Sequence, residues 1–392
     1  MGFGAIIASG EKNDLLGDDL VDCITEVRVE QSLSSPTLFA IRFQEDITGG
    51  NPRIRGSSEL RCGQMITIAV KDGDEIRCLV RGPITRREWS AMLGGPGSWF
   101  EIHGQDRRIE MDRKHRRESW VGLESEIALR ILKDEYKFRR TCIQETVKRY
   151  GTTRQNKEQE PTTETLNQRA TDEAFMRQIA CRNNFFFWIE YECRANGLGG
   201  GLKVEEIANL RSSPLRTDAV LDCGGQARPR TRTIPTLRVN VEKERCQNVT
   251  RVSLKEDSEK PSQFEGTAVD IRSATVKRIK AADKQQPQAK GGERLATCNP
   301  GRDLFITTAG GEEELQRKAD SALTDAGWFI KAEISTTAHL LGGVLLPHDE
   351  VEVEGLGSAD DGKYQVKAVT HVINAADHFM DIQLRRNATG GD

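Results

Sequence analysis

Between residues 21 and 107 the dominant spacing of apolar positions is two. Ile24, Val27 and Val29, then Phe39, Ile41 and Phe43, then Ile66, Ile68 and Val70 mark the faces of successive strands. "KDGDE" at 71–75 places an Asp-Gly turn between two such runs, and "SWFEIHG" at 98–104 closes the set. This pattern predicts a small antiparallel barrel or sandwich.

The period then changes. Leu123, Ile127, Ile131 and Leu132 fall on one helical stripe with Ala128 beside it. A second helix opens at Thr171-Asp172, carries Phe175, Ile179 and Ala180 on one face, and passes through Asn183-Asn184 into an aromatic strand at 185–191. Residues 151–164 read as a polar loop. "GLGGG" at 197–201 lies between two extended runs, so a hairpin turn is the stronger reading than a phosphate cradle, which opens a helix.

Strand spacing resumes near Leu237. Residues 256–265 and 281–301, rich in Lys, Gln, Ser, Gly and Pro, read as mobile or partner-ordered loops. Leu315, Ala319, Ala322, Leu323 and Ala326 then align on a helix that Gly327 stops. The chain finishes with "WFIKAEIS", "DEVEVEGL" and a hairpin over 362–388. On this hairpin Tyr364, Val366, Ala368 and Val372 are assigned to one core face, and Met380, Ile382 and Leu384 to the other. The order strand, Asp-Gly, strand, loop, strand, Arg occurs near Lys71 and again near Asp361. A structural repeat and an ordinary meander of strands both produce that order.

Composition narrows the function classes. Apolar residues at 36% with 30% charged residues describe a chain rich in polar surface, and a net charge of -3 argues against a dedicated binder of nucleic acid or anionic membrane. The basic run at 113–118 reads as solvated surface. No apolar run approaches the ~18–20 residues of a membrane span, no signal peptide opens the chain, and Ile6 stands where a myristoylation signal needs Ser or Thr. Synthesis in a cytoplasm is expected, which leaves the glycosylation-type triplets at Asn248 and Asn387 without meaning. The nine cysteines, at 23, 62, 78, 142, 181, 193, 223, 246 and 298, include no Cys-x-x-Cys and read as buried free thiols.

No strong catalytic constellation is present: no phosphate-binding Gly-x-x-x-x-Gly-Lys, no Gly-x-Ser-x-Gly and no His-Glu-x-x-His. The histidines at 103, 115, 339, 348, 371 and 378 sit mostly in or beside strands. His371 and His378 flank the final turn, but spacing supplies no third metal ligand. The acidic runs at 11–19 and 358–362 read as solvated turns, while a glycosidase-type carboxylate pair needs no proximity in the chain and stays open. No catalytic, cofactor-binding or metal residue is assigned, and no cofactor is expected.

One stretch is more specific. "HDEVEVEGLGSADDGKYQVKAVTHVINAADHFMDIQLRRNA" resembles the C-terminal signature of the phage late control gene D protein family, through Gly362, Tyr364, Val369, His371, Leu384, Arg386 and Asn387. "ATDEAFMRQIACRNNFFFWIE" resembles that family's Asp-x-x-Phe-Leu-x-x-Leu-Ala helix, with Met176 and Ile179 in place of leucines. "FEIHGQDRRIEMDR" followed by "ESEIALRIL" is similar to its barrel-exit strand and first helix. The 256–301 insertion and the acidic N-terminus depart from the family pattern.

The resemblance implies a mainly β fold with α+β insertions: two tube-like antiparallel β-barrels plus a middle α/β region. The implied domains are 1–107, a first barrel; 108–235, a helix-containing middle; and 236–392, a second barrel with a polar insertion at about 256–301 and a helix at about 312–326. It further implies the central baseplate hub of a contractile tail, related to the N-terminal part of type VI secretion (VgrG) spike proteins. Such a hub is a non-enzymatic homotrimer, a symmetry adaptor between a hexameric tail tube and a trimeric spike, with baseplate wedge and tape measure proteins as further partners. Neither nucleic-acid readout nor membrane insertion belongs to it. Its place is the virion tail, or an equivalent pyocin-like or extracellular contractile injection particle. The chain ends on its hairpin at Asp392, which leads to the expectation of a spike on a separate polypeptide. A tail-tip peptidoglycan hydrolase is the alternative.

Overall fold

The computed structural model describes residues 4–45, 52–92, 97–151, 165–196, 200–213, 219–221, 227–229, 234–240, 246–270, 275–282, 292–294, 303–308 and 311–390. Among these no helix is long and apolar enough to cross a membrane.

The first third is strand built. Ala5–Ser9 (β1), Ile24–Ser32 (β2), Leu38–Gln44 (β3), Met65–Asp72 (β4), Glu75–Ser90 (β5) and Trp99–Gln105 (β6) pair antiparallel in the order β2-β3-β6-β5-β4-β1. The alternation is realised side chain by side chain: Val27, Val29, Phe39, Ile41 and Phe43 are buried while Arg28 and Arg42 face water. Asp72 and Glu75 pair across a two-residue loop, and Gly73 takes the positive φ (64°) that this turn needs. Gly104 is required for a different reason: a Cβ there would lie 2.4 Å from the Pro83 carbonyl oxygen and 2.2 Å from the Phe39 ring.

The middle begins with the short helix Arg108–Asp112 and packs two longer helices against a small sheet. Glu124–Arg130 (α1) runs on as one π-helical stretch, Ile131–Glu135. Asp172–Arg182 (α2) starts where Thr171 accepts the Ala174 N–H (3.3 Å), the usual N-cap arrangement. The sheet comprises Arg140–Ile143 (β7), Phe186–Ala195 (β8) and Leu202–Arg211 (β9) in the order β7-β9-β8. Ile127, Ile131, Leu132, Phe175, Met176, Ile179, Phe187 and Leu210 form a separate apolar core between helices and sheet. Residues 197–199 of the Gly-rich run lie outside the described residues, but Ala195 pairs with Leu202, so the run connects a hairpin.

The last third comprises Leu237–Arg238 (β10), Arg251–Glu256 (β11), Gln263–Asp270 (β12), Thr275–Ala282 (β13), Asp303–Thr308 (β14), Gly311–Ala326 (α3), Ile330–Thr337 (β15), Glu350–Glu354 (β16), Gly362–Asn374 (β17) and His378–Arg386 (β18). Strands β11-β15-β18-β17 continue directly into β2-β3-β6-β5, giving one 13-stranded sheet. One apolar core runs beneath both ends of it, from Ile7 through Phe100 to Tyr364 and Leu384.

The repeated strand order is a structural repeat. Val27, Ile41, Ile102 and Arg87 line up across β2, β3, β6 and β5; Val252, Ile334, Ile382 and Val369 line up in the same way across β11, β15, β18 and β17. Both units also carry the same irregularity. The register skips one residue between Ile84 and Arg86 in β5, and between Val366 and Ala368 in β17. A bulge at the same place in both units is not demanded by a generic meander.

Three expectations are corrected. The skipped residue in β17 reverses its alternation, so beyond Val366 the buried residues are Val369, His371 and Ile373, not Ala368 and Val372. The polar insertion at about 256–301 contains β12 and β13, which with β14 form a three-stranded sheet, so the expected loops give way to strand at 263–265 and 281–282. Its strand Phe264 packs with Leu315, Ala319 and Leu323 of α3, an apolar set too sparse to outweigh the polar composition in sequence; residues 283–291 and 295–302 lie outside the described residues. The cysteines are not uniformly buried: Cys62, Cys181 and Cys246 are exposed, Cys23 and Cys193 half-buried, and Cys78 is a buried free thiol. Cys142 is disulfide-bonded, and Cys223 and Cys298 lie outside the described residues.

Candidate assembly site

The residues of the C-terminal signature have structural work to do at the end of the sheet. Gly362 has φ 125°, and a Cβ there would meet the Arg386 guanidinium at 3.3 Å. Arg386, fully buried, lies over the Tyr364 ring (5.3 Å) and donates to the carbonyl oxygens of Asp361 (2.8 Å) and Gly390. Tyr364 Oη donates to the Asp360 carbonyl (2.7 Å). Gly, Tyr and Arg thus form one knot that ties the last strand to the loop preceding β17.

His371 and His378 do meet across the turn, His371 Nδ1 to His378 Nε2 at 2.9 Å. Gln31 settles the protons. Its amide nitrogen donates to the Leu79 carbonyl (2.7 Å), which leaves its oxygen to accept from His371 Nε2 (3.1 Å). Nδ1 of His371 therefore accepts from His378 Nε2–H. Burial pushes His371 well below the usual imidazole range and His378 to about 4, so the pair is neutral. It stitches β17 to β2 and is satisfied without a metal.

A cleft of about 830 Å³ opens between β5, β8 and the segment before β16, lined by Arg77, Arg108, Trp188, Glu190, Arg211 and His348 among others. His348 stacks on Trp188 (centroids 3.9 Å apart), and burial holds its ring well below the usual range. Ser213 Oγ accepts from Gln365 Nε2 (2.7 Å) and contacts the neutral His348 at Nδ1 (2.8 Å). A serine nucleophile needs its imidazole oriented by a third group. Among the described residues the other ring nitrogen of His348 has no partner, and Ser213 does not line the cleft. The cleft floor is set by a buried ion pair: Arg108 binds Asp106 (2.8 Å) and donates to the carbonyls of Ser35 (2.7 Å) and Phe187 (3.1 Å), fastening β6 to the middle sheet.

One cluster escaped sequence reasoning. Glu88, Glu101 and His103 bring ligand-type atoms within 4.8 Å of one another. Glu88 and Glu101 are cross-strand partners in β5 and β6, a register that only the assembled sheet reveals. Arginines already serve both carboxylates: Arg42 reaches Glu101 at 2.9 Å and Arg86 reaches Glu88 at 3.1 Å.

What the surface does offer is strand edge. Among the described residues, β11 has a neighbour on one side only, and the second half of β5 has β6 on one side and no strand on the other. Exposed large apolar side chains sit on both edges, Leu254 on β11 (37%) and Trp89 on β5 (43%). An open edge with apolar residues is a template for pairing.

The same architecture occurs in solved structures. Nearly the whole chain superposes on the tail protein from Neisseria meningitidis MC58, with TM-score 0.61 and 12% identity over 99% of this chain and 97% of that one. It also superposes on the 43 kDa tail protein of prophage MuSo2 from Shewanella oneidensis, with TM-score 0.62 and 11% identity over 98% and 99%. The fold is that of phage tail proteins. A chain of the Francisella PdpA–VgrG complex shares it too, at TM-score 0.52 and 10% identity, with 99% of this chain matching 53% of that one. No family model matches the sequence. A search among curated proteins finds no match either.

Proposed function

We propose that the chain is a structural component of a phage-type tail, and within it the central hub of a contractile-tail baseplate. The observation that carries this reading is the repeat: two four-stranded units with the same registers and the same bulge, joined edge to edge in one chain of tail-protein fold. Three copies of such a chain present six equivalent units. That number matches a hexameric tube on one side, while the three chain identities match a trimeric spike on the other. The hub is thus a homotrimeric symmetry adaptor whose partners are the tube ring, a spike, and wedge or tape measure proteins. Its parts are a first barrel over 1–107, a middle over 108–235 and a second barrel over 236–392, and its place is the virion tail or an equivalent injection particle.

In this reading its work is assembly rather than turnover. The Ser213–His348 contact, without an orienting partner among the described residues, and the arginine-bound carboxylates at 88 and 101 fit that role. The test is co-expression with the tube and spike proteins of the same tail gene cluster, followed by mass measurement of the purified complex. Three copies per particle bound to six tube subunits are expected. A chain that binds neither partner refutes the proposal.

A further inference from the structure

The repeat makes the two open edges complementary. Inside the chain the units meet where β2 of the first pairs antiparallel with β17 of the second: Ser32 faces Ala368, Gln31 faces Val369, Glu30 faces Thr370, Val29 faces His371 and Arg28 faces Val372. β11 occupies in the second unit the position of β2 in the first. Val27 and Val29 stand opposite Ile41 and Phe39, as Val252 and Leu254 stand opposite Ile334 and Ala332. β5 occupies in the first unit the position of β17 in the second. Ile84, Arg86 and Arg87 stand opposite Gly104, His103 and Ile102, as Val366, Ala368 and Val369 stand opposite Leu384, Gln383 and Ile382.

We infer that β11 of one copy pairs antiparallel with the second half of β5 of another copy, in the register of the internal β2–β17 junction. The inference rests on the tail-component reading and names the surface through which copies join. Transferring the register residue by residue sets Arg86 against Asp257, Arg87 against Glu256, Glu88 against Lys255, Trp89 against Leu254 and Ser90 against Ser253. The first three are pairs of opposite charge, the fourth joins the two exposed apolar side chains of the edges, and the fifth joins two hydroxyls.

The register is also protected against slippage. A shift of one residue sets Arg87 against Lys255 or Glu88 against Glu256, according to direction. A shift of two sets Arg86 against Lys255 or Glu88 against Asp257. Every such slip opposes like charges, which destabilises a cross-strand pair. The contact is heterologous, one edge to a different edge, so repetition closes a ring or grows a filament. The chain's own β11 and β5 are separated by six intervening strands along the sheet, at about 4.8 Å per step, and do not pair with each other.

The test uses the full chain in two singly substituted forms of different length, Trp89→Cys carrying a tag and Leu254→Cys without one. Mixed, assembled and mildly oxidised, they are expected to give a cross-linked species of mixed size that neither form gives alone; Cys62, Cys181 and Cys246 supply the background in each single form. Should either form fold poorly, charge reversal replaces it. Glu88→Lys is expected to weaken self-association roughly tenfold, and Glu88→Lys with Lys255→Glu in one chain to recover it. A closed oligomer that neither cross-links nor responds to the reversal overturns the edge pairing and leaves the tail reading standing. A chain that remains monomeric at tens of micromolar and yet co-purifies with tube protein does the same. A chain that neither self-associates nor binds tube protein overturns both.

Discussion

The buried imidazole pair makes this protein acid-sensitive in a way that can be calculated. His378 titrates at about 4 in the folded chain against 6.5 for a free imidazole, because burial disfavours its charged form more than Asp377 favours it. The folded state therefore binds fewer protons than the unfolded chain, and stability rises with pH. The contribution is complete above about pH 6.5 and is lost as pH falls from there toward 4. At pH 5 the loss from this one group is about 2 kcal/mol by linkage. His371, lowered further by burial and by His378, adds to it with the same sign. His378→Gln removes the titrating group while keeping an N–H that can reach His371 Nδ1. Urea unfolding of both proteins at pH 7.5 and pH 5.0, followed by tryptophan fluorescence, provides the comparison. The variant is expected to lose about 2 kcal/mol less than the parent between the two pH values, whatever its stability at pH 7.5. Equal losses in the two proteins would refute the neutral-pair assignment.

Four other substitutions probe the frame. Arg108→Met removes the ion-pair partner of the Asp106 carboxylate and the donor to the carbonyls of Ser35 and Phe187, and is expected to cost about 3–5 kcal/mol in unfolding free energy, whereas Arg86→Met on the surface is expected to stay within about 0.5. Gly82→Ala drives a Cβ to 1.8 Å from the Gln105 carbonyl oxygen, so β5 and the exit of β6 must part; a loss of at least about 2 kcal/mol, read as a drop in thermal midpoint, is expected. Tyr364→Phe removes the hydroxyl's bond to the Asp360 carbonyl and its hydrogen bond with the Arg386 guanidinium, and a loss of at least about 1 kcal/mol by denaturant titration is expected.

The elements visible in sequence are those whose signal is local. Alternation at Val27, Val29, Ile41 and Phe43 survives as buried strand faces because each strand has one wet side. The Thr171 cap and the Phe175, Ile179 stripe define α2 from a window of a dozen residues. The strands β12 and β13 were hidden because their polar composition outweighs a short apolar set, and because the helix that covers them starts only at Gly311, well beyond the end of β13 at Ala282. Ser213 and His348 were illegible as a pair, being 135 residues apart in the chain.

By itself the sequence determined the strands and helices with a strong apolar period, the charge-rich composition, and the Gly-Tyr-His-Arg signature of the last hairpin. Those are properties of residues and their near neighbours. Register, the shared bulge, the burial of His371 and the existence of two complementary edges were decided only by tertiary structure. A bulge inverts every side chain beyond it, as the face of β17 shows, and no single-strand pattern records which neighbour causes the inversion. An edge is defined by a strand that is missing, which only the assembled sheet reveals.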